Sequence, residues 1–300
     1  MLFNAIHFVR PDTPDQEDVA FLANRYRQRK TDQPKFRILV AEDNAVNQKV
    51  IGLILEKAGH SVRIVENGEL ALDALKETGQ FDLALLDLNM PVMSGIEVAK
   101  IYQYITQTDS RIPIVALTAD ATVETRKLCD EARFDAYVTK PFESRLLLET
   151  ISRLAHKSVD KGDAAPGDSR AQNADGSGPS EEPLDLSVMK ELLRLGASED
   201  FIRNVTRLFL EGTEEKLRNM RLAVKTQNSE AFRQLNHALK GSAGQIGAMR
   251  LSAICHEYSK VGHEEFLLEG KRMLEFVKEE YARVCGALSG HGEEFRKIIP

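Results

Sequence analysis

The sequence predicts a doubly wound α/β domain on a five-stranded parallel sheet, followed by an all-α helical bundle. From Phe36 to about residue 155, short apolar runs alternate five times with helix-period segments, as in a parallel sheet with helices on both faces. One run, Leu83-Ala84-Leu85-Leu86, is apolar without a break, the pattern of a strand buried on both sides. After Pro183 the pattern is wholly helical as far as Leu288.

Residues 1–34 read as an N-terminal connector. Asp12 to Glu17 is acidic and holds Pro14, Asp18 to Tyr26 can form two or three helical turns, and Arg25, Arg27, Arg29 and Lys30 make a basic end. The first domain is expected over 35–156. Its first strand is Arg37 to Ala41, and Asn44 can cap a helix running to Lys57 that Ala58-Gly59-His60 closes. Strands follow near 61–65, 82–86, 112–117 and 135–139, with helices near 68–77, 95–107, 121–131 and 143–155. Gly95 fits the turn before the third helix. Asp73, Asp109, Asp130 and Asp135 are expected on solvated faces or at caps.

Residues 157–183 read as a flexible linker. Gly162, Gly167, Gly176 and Gly178 stand there with Pro166, Pro179 and Pro183, and Val159 is the sole large aliphatic side chain. Such a segment cannot bury enough apolar surface to order itself, and a chain of that length spans about 30 Å on Gly-rich statistics. The bundle is expected over 184–288, with helices near 184–195, 200–226, 229–246, 250–261 and 264–288. Breaks at Gly196, Asn228, Gly247 and Gly262 leave short joints, which favour an up-down arrangement. Residues 289–300 are a loose tail in this reading.

The net charge of −6 argues against broad nucleic-acid binding, which needs a basic stripe. No apolar stretch approaches the ~18 residues of a membrane span, so a cytoplasmic chain is expected. Cys129, Cys255 and Cys285 are odd in number and not closely spaced, as for buried thiols in a reducing compartment.

Chemistry gathers at the C-terminal ends of the strands, where open α/β sheets bind ligands. The first strand ends in Glu42-Asp43, the third in Asp87, the fourth in Thr118 and the fifth in Lys140-Pro141. Three clustered carboxylates repel one another unless cations sit among them. Lys140 supplies one charge, and a hard, oxygen-seeking ion such as Mg2+ would supply two. A phosphoryl group on Asp87 could then be shared by metal, ammonium and hydroxyl.

The bundle holds a second reactive group. In His237-Ala238-Leu239-Lys240-Gly241-Ser242, a turn of about 100° per residue places Phe232, Leu235, Leu239, Ser242 and Ile246 on one stripe. Arg233, His237, Lys240, Gly241 and Gly244 fall opposite. Two glycines cost a helix about 1 kcal/mol each against Ala, and what they leave is a flat surface beside the imidazole. Lys240, three residues on, can stabilise a phosphoryl oxygen on the ring.

Glu42, Asp43, Asp87, Thr118, Tyr137 and Lys140-Pro141 occur in the order and spacing of a response-regulator receiver domain, which residues 36–155 resemble. The resemblance implies a flavodoxin-like fold with Asp87 as phosphoacceptor. It implies Mg2+ held by Glu42, Asp43, Asp87 and the backbone carbonyl of Asn89, with Thr118 and Lys140 on the phosphoryl oxygens. It further implies a Tyr137 that swings inward on activation, a cis Lys140–Pro141 bond, and control of phosphoryl lifetime by Asn89 and Asp120, both polar, so that the label is short-lived. The His237 motif resembles that of a histidine phosphotransfer (HPt) domain over about 185–288, with Gly241 and Gly244 as docking face and Gln245 where relatives often have Asn.

The pair is similar to the C-terminal part of a hybrid sensor histidine kinase. It implies a His–Asp phosphorelay between an upstream histidine kinase and a downstream response regulator. No His-Glu-x-x-Thr-Pro-like helix and no glycine-rich ATP-lid box stand in the sequence, so the chain takes part in phosphoryl transfer without a kinase domain of its own, either as a stand-alone relay protein or as a piece of a hybrid kinase. A dehalogenase-type phosphatase would need an Asp at position 89, where Asn stands. The alternative is a receiver acting mainly as an interaction module that binds or inhibits a partner enzyme.

Overall fold

The computed structural model describes residues 34–77, 79–106, 111–119, 122–157 and 182–290. The readings made above for the connector, most of the linker, the tail beyond Gly290, and Asp109 and Asp120 lie outside the described residues.

Five strands, β1 (Arg37–Ala41), β2 (Ser61–Val65), β3 (Leu83–Asp87), β4 (Ile114–Thr118) and β5 (Ala136–Thr139), form one sheet in the order β2-β1-β3-β4-β5. All pairs are parallel. Helices α1 (Ala45–Lys57), α2 (Gly68–Lys76), α3 (Gly95–Ile105), α4 (Val123–Glu131) and α5 (Ser144–Lys157) connect and follow the strands. The central strands β3 and β4 are buried at every position, which accounts for their unbroken apolar runs.

Asn44 caps the first helix as expected, and Ser94 caps the third, which the sequence reading did not name. Asn44 Oδ1 accepts from the backbone N–H groups of Val46 and Asn47 at 3.0 and 3.4 Å. Ser94 and Glu97 close a reciprocal capping box at the start of α3.

Two acids bind the backbone at strand starts. Asp82 precedes β3 and accepts from the Arg37 backbone N–H at 2.7 Å and from its guanidinium at 2.7 and 3.2 Å. Asp135 was expected on a solvated face or at a cap. It is exposed, but it accepts from the Ile114 N–H at 2.7 Å and from Arg111 at 2.5 Å. Both carboxylates satisfy the first backbone donor of a strand, a group that otherwise lacks a ladder partner.

The second domain comprises α6 (Leu186–Arg194), α7 (Glu199–Lys225), α8 (Ser229–Gln245), α9 (Met249–Tyr258) and α10 (His263–Gly290). The last helix runs two residues beyond its expected end. Phe209, Phe232 and Phe266 are buried in the bundle, the latter two rings 5.0 Å apart. Tyr281 donates its hydroxyl to the Leu210 carbonyl at 3.1 Å. No helix among the described residues is long and apolar enough to cross a membrane.

The bundle lies against the sheet domain. Helix α1 meets both α7 and α8, and one cluster of buried apolar side chains continues from β1, β3 and α5 into α6 to α10. The strand ends therefore face the helix that carries His237.

Candidate functional site

Sheet register assembles the first half of the site. Ala41 pairs with Leu86, Asp87 with Leu117, and Thr118 with Thr139. The residues that end these strands or follow them directly, Glu42, Asp87, Thr118 and Lys140, are thereby brought to one edge.

Glu42 and Asp87 are buried and Asp43 is exposed, yet one oxygen from each lies within 4.8 Å of the others. The Lys140 ammonium stands 2.6 Å from Glu42 Oε2 and 2.6 Å from Asp87 Oδ2, on a side chain only 5% exposed. Asn47 Nδ2 donates to Glu42 Oε1 at 2.9 Å, and the Asn89 N–H donates to Asp87 Oδ1 at 3.2 Å. Thr118 is buried, and its carbonyl accepts from the Lys140 N–H at 2.7 Å. The Lys140–Pro141 bond is cis. Tyr137 is half-buried with the Arg126 guanidinium 5.5 Å above its ring.

Crowding sets the charges. Burial pushes the Glu42 carboxyl up to about 7, with Lys140 opposing and Asp87 adding to the rise. Burial and then Asp87 also raise Asp43. Burial alone would lower Lys140, but Asp87 and Glu42 overcome it and hold the ammonium above its ordinary value. Three converging carboxylates with oxygen-only donors, two of them pushed up by burial and by Asp87, suit a small divalent cation.

The second half comes from α8. His237 is half-buried, and its Nε2 lies 3.0 Å from Asn89 Nδ2. With the amide nitrogen as donor, Nε2 accepts and the ring proton sits on Nδ1. Asn44 Nδ2 donates to the Ala238 carbonyl at 3.4 Å. Gly241 and Gly244 are buried at this junction. A Cβ on Gly241 would lie 3.4 Å from Asn47 Nδ2, and one on Gly244 would lie 3.3 Å from Pro141 Cδ. The glycine surface expected to be bare is pressed against the sheet domain. A cavity of about 350 Å3 lies between the domains, lined by Asp87, Asn89, Lys140 and His237 among others.

Lys240 points elsewhere than expected. Its ammonium lies 2.6 Å from His256 Nδ1, with Lys260 3.0 Å from Nε2 of the same ring. Sequence reasoning missed Asn44 and Asn47 as junction residues, although Asn47 lies one helical turn past the Asn44 cap. It also missed Lys216 on α7, which burial shifts downward while Asp43 acts against that shift.

Residues 38–152 match the model of the response regulator receiver domain, and 204–285 match that of the Hpt domain. The chain is a receiver domain followed by an Hpt domain. The two together place it in His–Asp phosphorelay signalling. Sensory/regulatory protein RpfC of Xanthomonas campestris pv. campestris is 28% identical over 289 residues, which is 93% of this chain and 39% of that protein. This chain thus spans well under half of that relative. Hybrid signal transduction protein dokA of Dictyostelium discoideum is 42% identical over 122 residues, 40% of this chain and 7% of its own length. Among solved structures, the receiver domain of a Pseudomonas aeruginosa sensor histidine kinase, with magnesium in its active site cleft, is 32% identical over 41% of this chain and 99% of its own, at a TM-score of 0.38.

Proposed function

We propose that Asp87 accepts a phosphoryl group from an upstream histidine kinase and exchanges it with His237 of the same chain, from which it passes to or from a downstream response regulator. The observation that carries this is the juxtaposition of the two nucleophiles across one cavity. Asn89 bonds to both of them, through its N–H to Asp87 Oδ1 and through its amide to His237 Nε2.

In the first step a carboxylate oxygen of Asp87 attacks phosphorus, and the bond from phosphorus to the donor breaks. Lys140 and Thr118 stand where the phosphoryl oxygens gather negative charge, and fixed donors in a buried site need no reorganisation. In the second step the His237 Nε2 lone pair attacks the phosphorus of the aspartyl phosphate. The P–O bond to Asp87 breaks, its electron pair returns to the carboxylate, and the ring keeps its proton on Nδ1. The Asn89 amide holds the lone pair facing the cavity until then. Docking makes the step unimolecular, which removes much of the entropic cost of a bimolecular encounter.

Glu42, Asp43 and Asp87 would hold Mg2+, which neutralises charge on the transferring group. Lys240, bonded to His256, reaches a phosphoryl group on His237 only by changing partners. Tyr137 serves as a switch whose inward turn exchanges the contact with Arg126, and Asn89 and Asp120 set the lifetime of the aspartyl phosphate.

The test is labelling with a small acyl phosphodonor. Wild type acquires label in Mg2+, acquires none when chelator is present from the start, and Asp87→Asn takes up none. Equal labelling of Asp87→Asn would overturn the proposal.

A further inference from the structure

A second junction between the receiver and the bundle lies away from His237. Helix α6 precedes the part of the chain that matches the Hpt model, and it is tied to both domains. At its start the Asp185 N–H donates to the Gly247 carbonyl at 2.8 Å, while Asp185 Oδ1 caps the helix at the Ser187 N–H, 2.9 Å away. Gly247 has φ +84°, and a Cβ there would collide with the Asp185 carbonyl. This end belongs to the bundle.

The body of α6 reaches the receiver. Ser144, the buried first residue of α5, donates its hydroxyl to Glu191 Oε1 at 2.8 Å. The Glu191 carboxylate thus sits at the N-terminal end of α5, where the helix dipole favours a negative charge. Helix α6 then stops at Gly196, with φ +87°. Lys57 Nζ, from the last turn of α1, lies 3.2 Å from where a Cβ on Gly196 would stand. An ammonium therefore attends the C-terminal end of α6, the complementary placement. Leu184, Met189 and Leu192 are buried in the same apolar cluster as Leu147, Ile151 and Leu154 of α5.

We propose that α6 is a strap that commits His237 to the receiver of its own chain, through Glu191 on Ser144 and Lys57 at Gly196. This rests on the transfer between Asp87 and His237 proposed above and names its partner. The glycine face around His237 is smooth enough to accept any receiver with a matching loop edge. The strap adds contacts that require a hydroxyl at the start of α5 and an ammonium at the end of α1. Discrimination between cognate and other receivers is then a difference in affinity set at a distance from the reacting atoms.

The experiment times transfer in the full chain. Asp87 is labelled with a small acyl phosphodonor in Mg2+, the donor is removed, and label on His237 is followed at increasing protein concentration. An Asp87→Asn chain is present as a competing acceptor. Wild type transfers at a rate independent of concentration and leaves little label on the competitor. In Glu191→Lys the internal rate falls roughly tenfold and label on the competitor rises; Glu191→Gln gives a smaller shift in the same direction. Adding Ser144→Glu to Glu191→Lys restores internal transfer, because the new pair has opposite charges. Retained labelling of Asp87 checks that the receiver of each variant folds, and acceptance of label by its His237 from the labelled Asp87 of a separate His237→Gln chain checks the bundle. Internal rates in Glu191→Lys and Glu191→Gln equal to wild type would overturn the strap. Label that stays on Asp87 and never reaches His237, even in wild type, would instead overturn the transfer on which the strap depends.

Discussion

Asn89 Nδ2 stands 3.0 Å from His237 Nε2, so the residue two past Asp87 touches the imidazole of the other domain. The contact orients a lone pair without adding charge. A neutral hydrogen bond contributes about 1 kcal/mol net, equivalent to roughly fivefold in rate. That bond opens before Nε2 attacks phosphorus and so stabilises the resting state. Asn89→Leu is expected to speed transfer from Asp87 to His237 by up to about fivefold while Asp87 still accepts label. Rapid-quench timing of both labelled species measures this.

Gly244 tests the docking surface. Its Cβ position lies 3.3 Å from Pro141 Cδ, so a long side chain must push the domains apart. Leu favours a helix over Gly by nearly 1 kcal/mol, so the α8 helix itself does not suffer. Gly244→Leu is expected to cut internal transfer at least tenfold and to leave phosphorylation of Asp87 by a small donor near wild type. Phosphoprotein gels with both acid and base treatment separate the two effects.

Asp82 links stability to pH. Its hydrogen bond from Arg37 holds the carboxyl below the usual carboxylate range. The folded pKa is depressed, so the unfolded chain binds the proton more readily. The stabilisation is present above the unfolded value of about 3.9 and is lost as pH falls through the folded pKa. Because the pair is partly exposed, about 1 kcal/mol or less is at stake. Asp82→Asn should lower stability by that amount at pH 7, and the gap to wild type should close below about pH 4 in denaturant titrations.

Gln245 is buried, and its Nε2 has no hydrogen-bond partner among the described residues. An unmet buried donor costs about 1–3 kcal/mol. Gln245→Met keeps the length and removes the donor, so a gain of about 1 kcal/mol in unfolding free energy is expected. Thermal and urea unfolding check it.

The strand ends were legible because each apolar run stops at its functional residue, and parallel register then brings Glu42, Asp87, Thr118 and Lys140 together without further information. The face of α8 was legible from its period, but not its covering. A helical wheel places Gly241 and Gly244 away from the bundle core and says nothing of Pro141 or Asn47, which lie about a hundred residues or more upstream in the chain. Glu191 and Ser144 are ordinary helix-end residues in sequence, and only the packing of α6 beside α5 pairs them. Gln245 lies one position before the predicted stripe residue Ile246 and is buried with it. Lys240 turns to His256 because α9 packs on α8, a pairing that no spacing rule reveals.

The most direct measurement follows label through wild type, Asp87→Asn and His237→Gln after exposure to a small acyl phosphodonor in Mg2+. In wild type, base-labile label should appear first on Asp87 and then give way to acid-labile, base-stable label on His237. His237→Gln should retain only the first kind, and Asp87→Asn should show neither. Acid-labile label on His237 in the Asp87→Asn chain, or wild-type label that remains wholly base-labile, would contradict transfer between these two residues.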